Sequence, residues 1–389
     1  MTRSSPEATA SPDHETNASI DPDGLLEYSV VFTDRSLNHM SETFQQVMRD
    51  IADTVTKVYA ADHMAIVPGG GTYGMEAVAR QLGTDRTCMV LRNGWFSYRW
   101  SQIFEAGGIP EREIVLKARQ VSGDNQAAYE PMPLDEVLEA IRTEKPDVFF
   151  AAHVETAAGM LLPDDYIKTV GAAVREAGGL FVLDCIASGT IWVDMAQCNV
   201  DLLISAPQKG WSASPCGAFV MMNDRAREKV ANSQSTSFAI DLKKWTEIME
   251  AYRNGGHAYH ATMPTDALMK FHATMKETEA YGFERLKSAQ QELGERVRAL
   301  LAAKGFRSLA ATGYEAPGVI VCYTNDNEIK SGGKFAAQGL QTAAGVPLMV
   351  GEGDDFATFR IGLFGLDKLL HMDRTVDRLA TALDKIQAN

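Results

Sequence analysis

Leu180-Phe-Val-Leu-Asp184 and, further on, Asp201-Leu-Leu-Ile-Ser-Ala-Pro-Gln-Lys209-Gly210-Trp211 are the stretches whose reading decides the fold. Each carries a short apolar run without polar alternation, as strands buried on both faces of a parallel sheet do. The first run closes on an acid, and the second leads into a lone lysine. In open α/β sheets the carboxyl ends of the strands form the edge where ligands sit. An acid and an amine are thus delivered to one edge.

The same texture extends in both directions. Candidate strands lie at 64–67, 87–91, 148–151, 180–184, 202–205 and 217–222. Helical patterns fall between several of them, at 73–82, 97–106, 134–142 and 164–177. This alternation predicts a mostly parallel sheet covered by helices on both faces. From residue 266 to Lys304 the chain becomes long, charged and helix-favouring, and Gly305 ends it. A smaller α+β unit follows, with strands at 319–323 and 358–362 and a final helix over 366–386. The division is placed at residue 285, giving a large domain over 25–285 and a small one over 286–389. Residues 1–24 are rich in Ser, Thr, Asp, Glu and Pro and lack an apolar core. They read as a disordered tail, or an arm that orders on a partner subunit, and not as a signal peptide.

Between the first strand and the first helix lies Val67-Pro-Gly69-Gly70-Gly71-Thr72-Tyr73-Gly74. Backbone N–H groups at a helix start, with no side chains in the way, suit a phosphate. Thr72 is positioned to cap the helix and to give its hydroxyl to that phosphate. Gly69 to Gly74 also fits the GxGxxG dinucleotide fingerprint, which asks for an acid at the end of the next strand. That position reads Leu91-Arg92-Asn93, so NAD is disfavoured, and an NADP reading rests on Arg92 alone. A plain tight turn is the remaining alternative.

Three further segments carry polar groups at strand ends or inside apolar runs. Arg92-Asn-Gly94-Trp95-Phe96-Ser97-Tyr98-Arg99 offers aromatic rings to a flat ligand or to the core. His153-Val-Glu155-Thr156 offers a hydroxyl at Thr156, with Glu155 read as a partner for loop backbone. Arg360 lies within an apolar run, where a guanidinium is costly unless paired; a substrate carboxylate or a structural acid would serve. His257 and His260 have no Cys or carboxylate at ligand spacing, so a metal is not expected. An acid and an amine at one edge, beside a phosphate loop, are what pyridoxal 5′-phosphate requires. The amine joins its aldehyde, and the acid keeps its ring nitrogen protonated.

Composition narrows the classes. The chain has 389 residues, 45% of them hydrophobic, and a net charge of −14. That balance disfavours nucleic acid and anionic membranes as partners. The five cysteines, Cys88, Cys185, Cys198, Cys216 and Cys322, form no CxxC pair, which suits reduced thiols in the cytoplasm.

In their order along the chain, GGGTYGMEA, NGWFSYRW, HVETAAG, the 180–184 strand, SAPQKGW, YHATMP and FRIGLFG resemble the class V aminotransferases of PLP fold type I. The alanine–glyoxylate and serine–glyoxylate group is the nearest likeness, from residue 38 to the C-terminus. The resemblance implies a seven-stranded sheet sandwiched by helices, with a smaller C-terminal α+β domain. Lys209 resembles the Schiff-base lysine, and Asp184 the acid on the pyridine nitrogen. Gly70, Gly71 and Thr72 resemble the phosphate cradle, with Gln208 nearby. Phe96 resembles the stacking ring, with Trp95 as the neighbouring alternative. Thr156 falls where a residue hydrogen-bonds the ring's 3-oxygen, and Ile186 where a side chain packs on the other ring face. Tyr259 and Thr262 resemble residues that reach the phosphate in a partner subunit, which implies a homodimer with shared sites. Arg360 resembles the arginine that holds the substrate's α-carboxylate.

The likeness implies a ping-pong transamination between a small amino acid and a 2-oxo acid such as glyoxylate or pyruvate. One departure concerns the start of the chain. Tyr28 to Ser36 runs almost directly into Asn38-His39-Met40, without the glycine–proline loop and helix usual in the family. That loop lines the substrate pocket, so the amino-acid preference is left open; Arg35 offers a second charge there, or is a surface residue. Lyase and cysteine desulfurase chemistry share the scaffold, but a desulfurase needs an exposed cysteine, and Cys322 sits in an apolar run. A reductase on the GxGxxG reading leaves Asp184, Lys209 and Arg360 without a task.

Overall fold

Leu180–Asp184 forms the middle strand of a seven-stranded sheet, and each of its residues is buried. The structure, a computed structural model, describes residues 23–388. The reading of the first 24 residues as a tail or arm therefore falls, apart from Asp23 and Gly24, outside the described residues. In chain order the strands are β1 (His63–Pro68), β2 (Thr87–Arg92), β3 (Arg112–Lys117), β4 (Val148–Ala152), β5 (Leu180–Asp184), β6 (Leu202–Ser205) and β7 (Gly217–Met222). Across the sheet they run β1-β7-β6-β5-β4-β2-β3. β7 pairs antiparallel with both neighbours, and every other pairing is parallel. The other six strands therefore point the same way, and their carboxyl ends share one edge.

Six of these strands coincide with the apolar runs of the sequence. The seventh, β3, was not among them because it is an edge strand: Arg112, Glu113 and Lys117 are exposed, so no continuous apolar run marks it. Helices α1 (Glu42–Tyr59), α2 (Gly71–Leu82), α3 (Trp95–Gly107), α4 (Leu134–Glu144) and α5 (Asp164–Glu176) cover the sheet with one apolar face each. The long charged stretch is two helices, not one. They are α8 (Thr265–Tyr281) and α9 (Phe283–Ala303), after α6 (Asp224–Ala231) and α7 (Leu242–Arg253). Gly282, at φ +100°, separates them in a conformation that other residues rarely adopt. The final helix is likewise divided, into Leu366–Leu370 and Met372–Ala388.

Beyond α9, β8 (Val319–Tyr323), β9 (Ala343–Ala344) and β10 (Thr358–Gly362) make a three-stranded antiparallel sheet with β10 in the middle. One buried core draws on residues from Leu37 to Met275, and a second on residues from Leu286 to Ile386. A third cluster joins Ala157 and Ala158, after β4, to Val319 and Val321 of β8. Among the described residues no helix is long and apolar enough to cross a membrane.

The sheet's packing is testable at Phe150 of β4, which is fully buried with its ring centroid 4.4 Å from Trp100 and 5.4 Å from Phe104. Phe150→Ala should lower unfolding free energy by about 3–5 kcal/mol. Urea unfolding reads this directly, and an unchanged midpoint would mean that α3 does not pack on β4 in this way.

Candidate active site

At the shared edge, β1 runs into α2 through the glycine loop. Gly70 is the N-cap residue of α2, and no side chain caps it. The cap expected at Thr72 is therefore corrected: Thr72 lies inside the first turn, and its Oγ1 accepts a hydrogen bond from Arg99 Nη1 at 3.1 Å. Helix geometry leaves the first N–H groups of a turn without intrahelical partners, and no acid occupies this one. The turn is thus an electropositive, uncapped surface. A Cβ on Gly71 would lie 2.3 Å from Ile186 Cδ1, so the loop passes directly against Ile186.

β2 leads into α3, whose start is held by a buried acid from the loop after β4. Glu155 Oε1 accepts from Phe96 N (3.1 Å) and Ala157 N (2.9 Å), and Oε2 from Ser97 N (2.8 Å) and Ser97 Oγ (2.7 Å). The loop-backbone reading of Glu155 holds, and this contact fixes Phe96 relative to Thr156. The Phe96 ring lies 5.2 Å from the Arg99 guanidinium and 5.6 Å from that of Arg360. Trp95 instead turns to Tyr98, with ring centroids 5.7 Å apart.

Asp184 ends β5 with 7% of its surface exposed, and its Oδ1 accepts one backbone hydrogen bond, from Ile186 N at 2.8 Å. Burial pushes its carboxyl up to about 6, and the Glu155 charge adds to the effect. Lys209 follows β6. Burial depresses its ammonium, the Asp184 charge opposes this, and the Arg360 and Arg99 charges add to it. Acid and amine sense each other, yet no contact within 4.0 Å joins them. The Lys209 Nζ lies 5.2 Å over the ring of Phe364. Gln208 Oε1 is buried with no partner.

Arg360, on β10, donates from Nε to Ala344 O at 2.8 Å. Among the described residues no carboxylate comes within 4.0 Å of it, so the structural ion pair expected as its alternative is absent there. No hydrogen bond or ring contact joins Tyr259 or Thr262 to this group. Both are exposed, and they hydrogen-bond each other at 3.2 Å. Arg35 stays at the surface, 65% exposed beside Asp34. Arg92 is committed elsewhere: Nη2 donates to Ser101, Nη1 to Met349 O, and the guanidinium stacks on Tyr98 at 4.7 Å. That removes the NADP reading's one cation. His153 is buried, with Nδ1 2.7 Å from Ser188 Oγ and Nε2 unpartnered, and burial holds it down to about 3. A hollow of about 820 Å³ between α5 and the start of α9 is lined by Asp164, Lys168, Trp192, Cys198 and Phe283. It contains none of the candidate site residues.

Arg99 and Phe364 were not singled out from the sequence as site residues. Arg99 follows Phe96 by three positions in a helix, and that spacing puts both on one face.

The sequence profile of the family described as Aminotransferase class-V matches residues 8–346. A 2-aminoethylphosphonate–pyruvate transaminase of Lactiplantibacillus plantarum is 25% identical over 369 residues, covering 91% of each chain. An L-aspartate–glyoxylate aminotransferase of Paracoccus denitrificans is 24% identical over 278 residues, 71% of this chain and 67% of the relative. Among solved structures, an alanine–glyoxylate aminotransferase from Nostoc sp. superposes with a TM-score of 0.76 over 90% of this chain and 88% of its own. At 20% identity that likeness shows the fold alone, PLP fold type I.

The Asp184 carboxyl has a measurable signature. An unfolded aspartate titrates near 3.9, below the folded value of about 6. The cofactor-free folded protein therefore holds this proton more tightly than the unfolded chain. The stability this contributes is fully present below about pH 4 and is lost as pH rises through about 6. At about pH 7.5, Asp184→Asn should make the cofactor-free protein more stable than wild type by about 3 kcal/mol, with the gap closing at about pH 4. Urea midpoints at the two pH values decide it, and an equal gap at both would rule out a raised carboxyl.

Proposed function

This chain belongs to the aminotransferase class-V family, and we propose that it transfers an amino group between a small amino acid and a 2-oxo acid, with pyridoxal 5′-phosphate as cofactor. The observation that carries the reading is the meeting of Asp184 and Lys209 at one sheet edge, near each other but not paired. The residues fit the group. The α2 start is uncapped, Gly71 leaves no room for a Cβ, and Gln208 holds an unpartnered buried oxygen. When bound, the cofactor supplies a sink for the electron pair left as the substrate's α-proton departs.

The chain's own residues supply the rest. Asp184 would hold a proton at the ring nitrogen, and that cationic partner would draw its raised pKa back down. Phe96 and Ile186 would enclose the two ring faces, and Thr156 would hydrogen-bond the 3-oxygen. Gly70, Gly71, Thr72 and Gln208 hold the phosphate. Lys209 would hold the aldehyde carbon and, once displaced by substrate, its amine would take the proton from the substrate's α-carbon and return it on the way to product. Its depressed ammonium raises the neutral fraction that such a base requires. Arg360, without an acid of its own, takes the substrate's α-carboxylate through two parallel hydrogen bonds. The first 2-oxo acid leaves before the second, such as glyoxylate or pyruvate, enters.

A homodimer is part of the proposal. Tyr259 and Thr262 are exposed and free to reach the phosphate of a partner's cofactor. Leu26, Tyr28, Val30, Tyr73 and Phe238 also expose apolar surface that a second copy would cover. The division at residue 285 into a large and a small domain fits the two separate cores. All five cysteines are unpaired and buried, which supports a reducing, cytoplasmic setting and disfavours a desulfurase.

Purified protein should show a visible cofactor band that converts to a near-ultraviolet one when an amino donor is added without an acceptor. Alanine, serine, aspartate and 2-aminoethylphosphonate make the first panel. No band after addition of pyridoxal phosphate would overturn the reading. Release of ammonia without an acceptor would make the enzyme a lyase.

Lys209→Ala should lower turnover by at least about 10⁴-fold while leaving cofactor binding detectable. A fully active variant would remove Lys209 from the chemistry. Arg360→Ala should raise KM for carboxylate donors by about 10- to 100-fold, and unchanged kinetics would take it out of the site.

A further inference from the structure

We infer that Arg99 binds the phosphate group of the cofactor, as a charged donor in a cradle otherwise made of backbone N–H groups and neutral side chains. This rests on the pyridoxal phosphate reading above.

Arg99 stands one turn beyond Phe96 on α3, and its guanidinium covers the Phe96 ring at 5.2 Å. From there its Nη1 donates to Thr72 Oγ1 in the first turn of α2. A hydroxyl that accepts from Arg99 keeps its own proton to donate elsewhere. The uncapped N–H groups of the same turn mark where its acceptor would sit, at the anion position before α2. Arg99 therefore supports Thr72 and adds its own N–H groups on one side of that position.

The cation has no other anion. A guanidinium carries five donors, and its one hydrogen bond to the described protein is to Thr72. No carboxylate lies within 4.0 Å among the described residues. Arg99 is half-buried, and its charge is felt at both Asp184 and Lys209, which puts it within the site. A partly desolvated cation without a counter-ion is unfavourable. A phosphate dianion beside α2 removes that cost. Two guanidiniums, Arg99 and Arg360, lie 5.2 Å and 5.6 Å from the centroid of the Phe96 ring. Each then has its own anion: Arg99, on the α2 side, the phosphate, and Arg360, on β10, the substrate carboxylate.

The test compares pyridoxal 5′-phosphate with pyridoxal, which lacks the phosphate. Both are titrated into the cofactor-free full chain, and dissociation constants are read from the visible band. Arg99→Gln should weaken pyridoxal phosphate by about tenfold or more and leave pyridoxal unchanged. Arg99→Lys keeps the charge but loses the planar fork and should fall between. Thr72→Val should cost less in the Arg99→Gln background than in wild type, because the two groups act together. Should Arg99→Gln not fold, Arg99→Lys carries the test alone, with about threefold weakening for the phosphate form only.

Equal weakening of both ligands would overturn the assignment. So would unchanged pyridoxal phosphate binding, and a raised KM for dicarboxylic donors in that case would transfer Arg99 to the substrate. If wild type binds neither ligand, the cofactor reading itself fails and the inference goes with it. If wild type binds and Arg99→Gln binds equally well, the inference alone fails.

Discussion

Everything at this site follows from the shared direction of six strands. Parallel neighbours cannot be joined by a tight turn, so each connection must cross the sheet through a helix or long loop and start again from the same end. β1, β2, β4, β5 and β6 therefore release their following residues at one edge. These are the glycine loop, the start of α3, the Glu155–Thr156 loop, Asp184 and the Lys209 loop. Residues separated by more than a hundred positions in sequence become neighbours without any contact having to specify the neighbourhood. β7 runs the other way and presents its amino end there, where Cys216 O accepts the Gly69 N–H at 3.2 Å and closes the edge.

Within that edge, two buried acids are treated differently. Glu155 is fully buried and accepts four hydrogen bonds, so its charge is compensated and the carboxylate is structural. Asp184 is nearly as buried but receives one backbone bond, and its carboxyl rises accordingly. The less satisfied acid is the one left with capacity for a cationic partner. The same contrast separates two bases. His153 is buried so deeply that it stays neutral through the physiological range, so no imidazolium is there to act as an acid. Lys209 is depressed but still coupled to Asp184 and to two arginines, and its protonation can respond to what binds beside it.

Much of this was legible in the sequence because fully buried strands leave unbroken apolar runs. Leu180–Asp184, Leu202–Ser205 and Gly217–Met222 have the same bounds in both readings. Features that depend on exposure were harder to see. Edge strand β3 has charged, solvent-facing residues, and Gly282 interrupts a run of good helix formers that shows no other break. At the site, the residue types at strand ends point to pyridoxal phosphate chemistry, but hydrogen-bond direction does not follow from them. The residue type of Thr72 suggests a cap, whereas the chain enters α2 through Gly70 and leaves the Thr72 hydroxyl to Arg99. Arg99 itself was hidden by its neighbours, since an arginine among aromatic residues reads first as packing. Its place becomes clear only when α2 and α3 are seen side by side.

The Lys209 loop is also tied to the C-terminal unit. Ser212 N donates to Lys209 O at 3.1 Å, and Ser212 Oγ accepts from Leu366 N at 2.7 Å, tying the loop to the segment that follows β10. That segment carries Arg360 in the strand and Phe364 just beyond it, under the amine. The group available for a substrate carboxylate and the floor beneath the lysine are therefore four residues apart on one short piece of chain. A shift of the C-terminal unit against the sheet would move both together relative to Asp184, which stays fixed at the end of β5. Under the roles proposed above, substrate capture at Arg360 and the position of the Lys209 amine would be mechanically coupled for that reason. The coupling needs no relay of side chains, only the short path from Arg360 to Phe364 and the one hydrogen bond at Ser212.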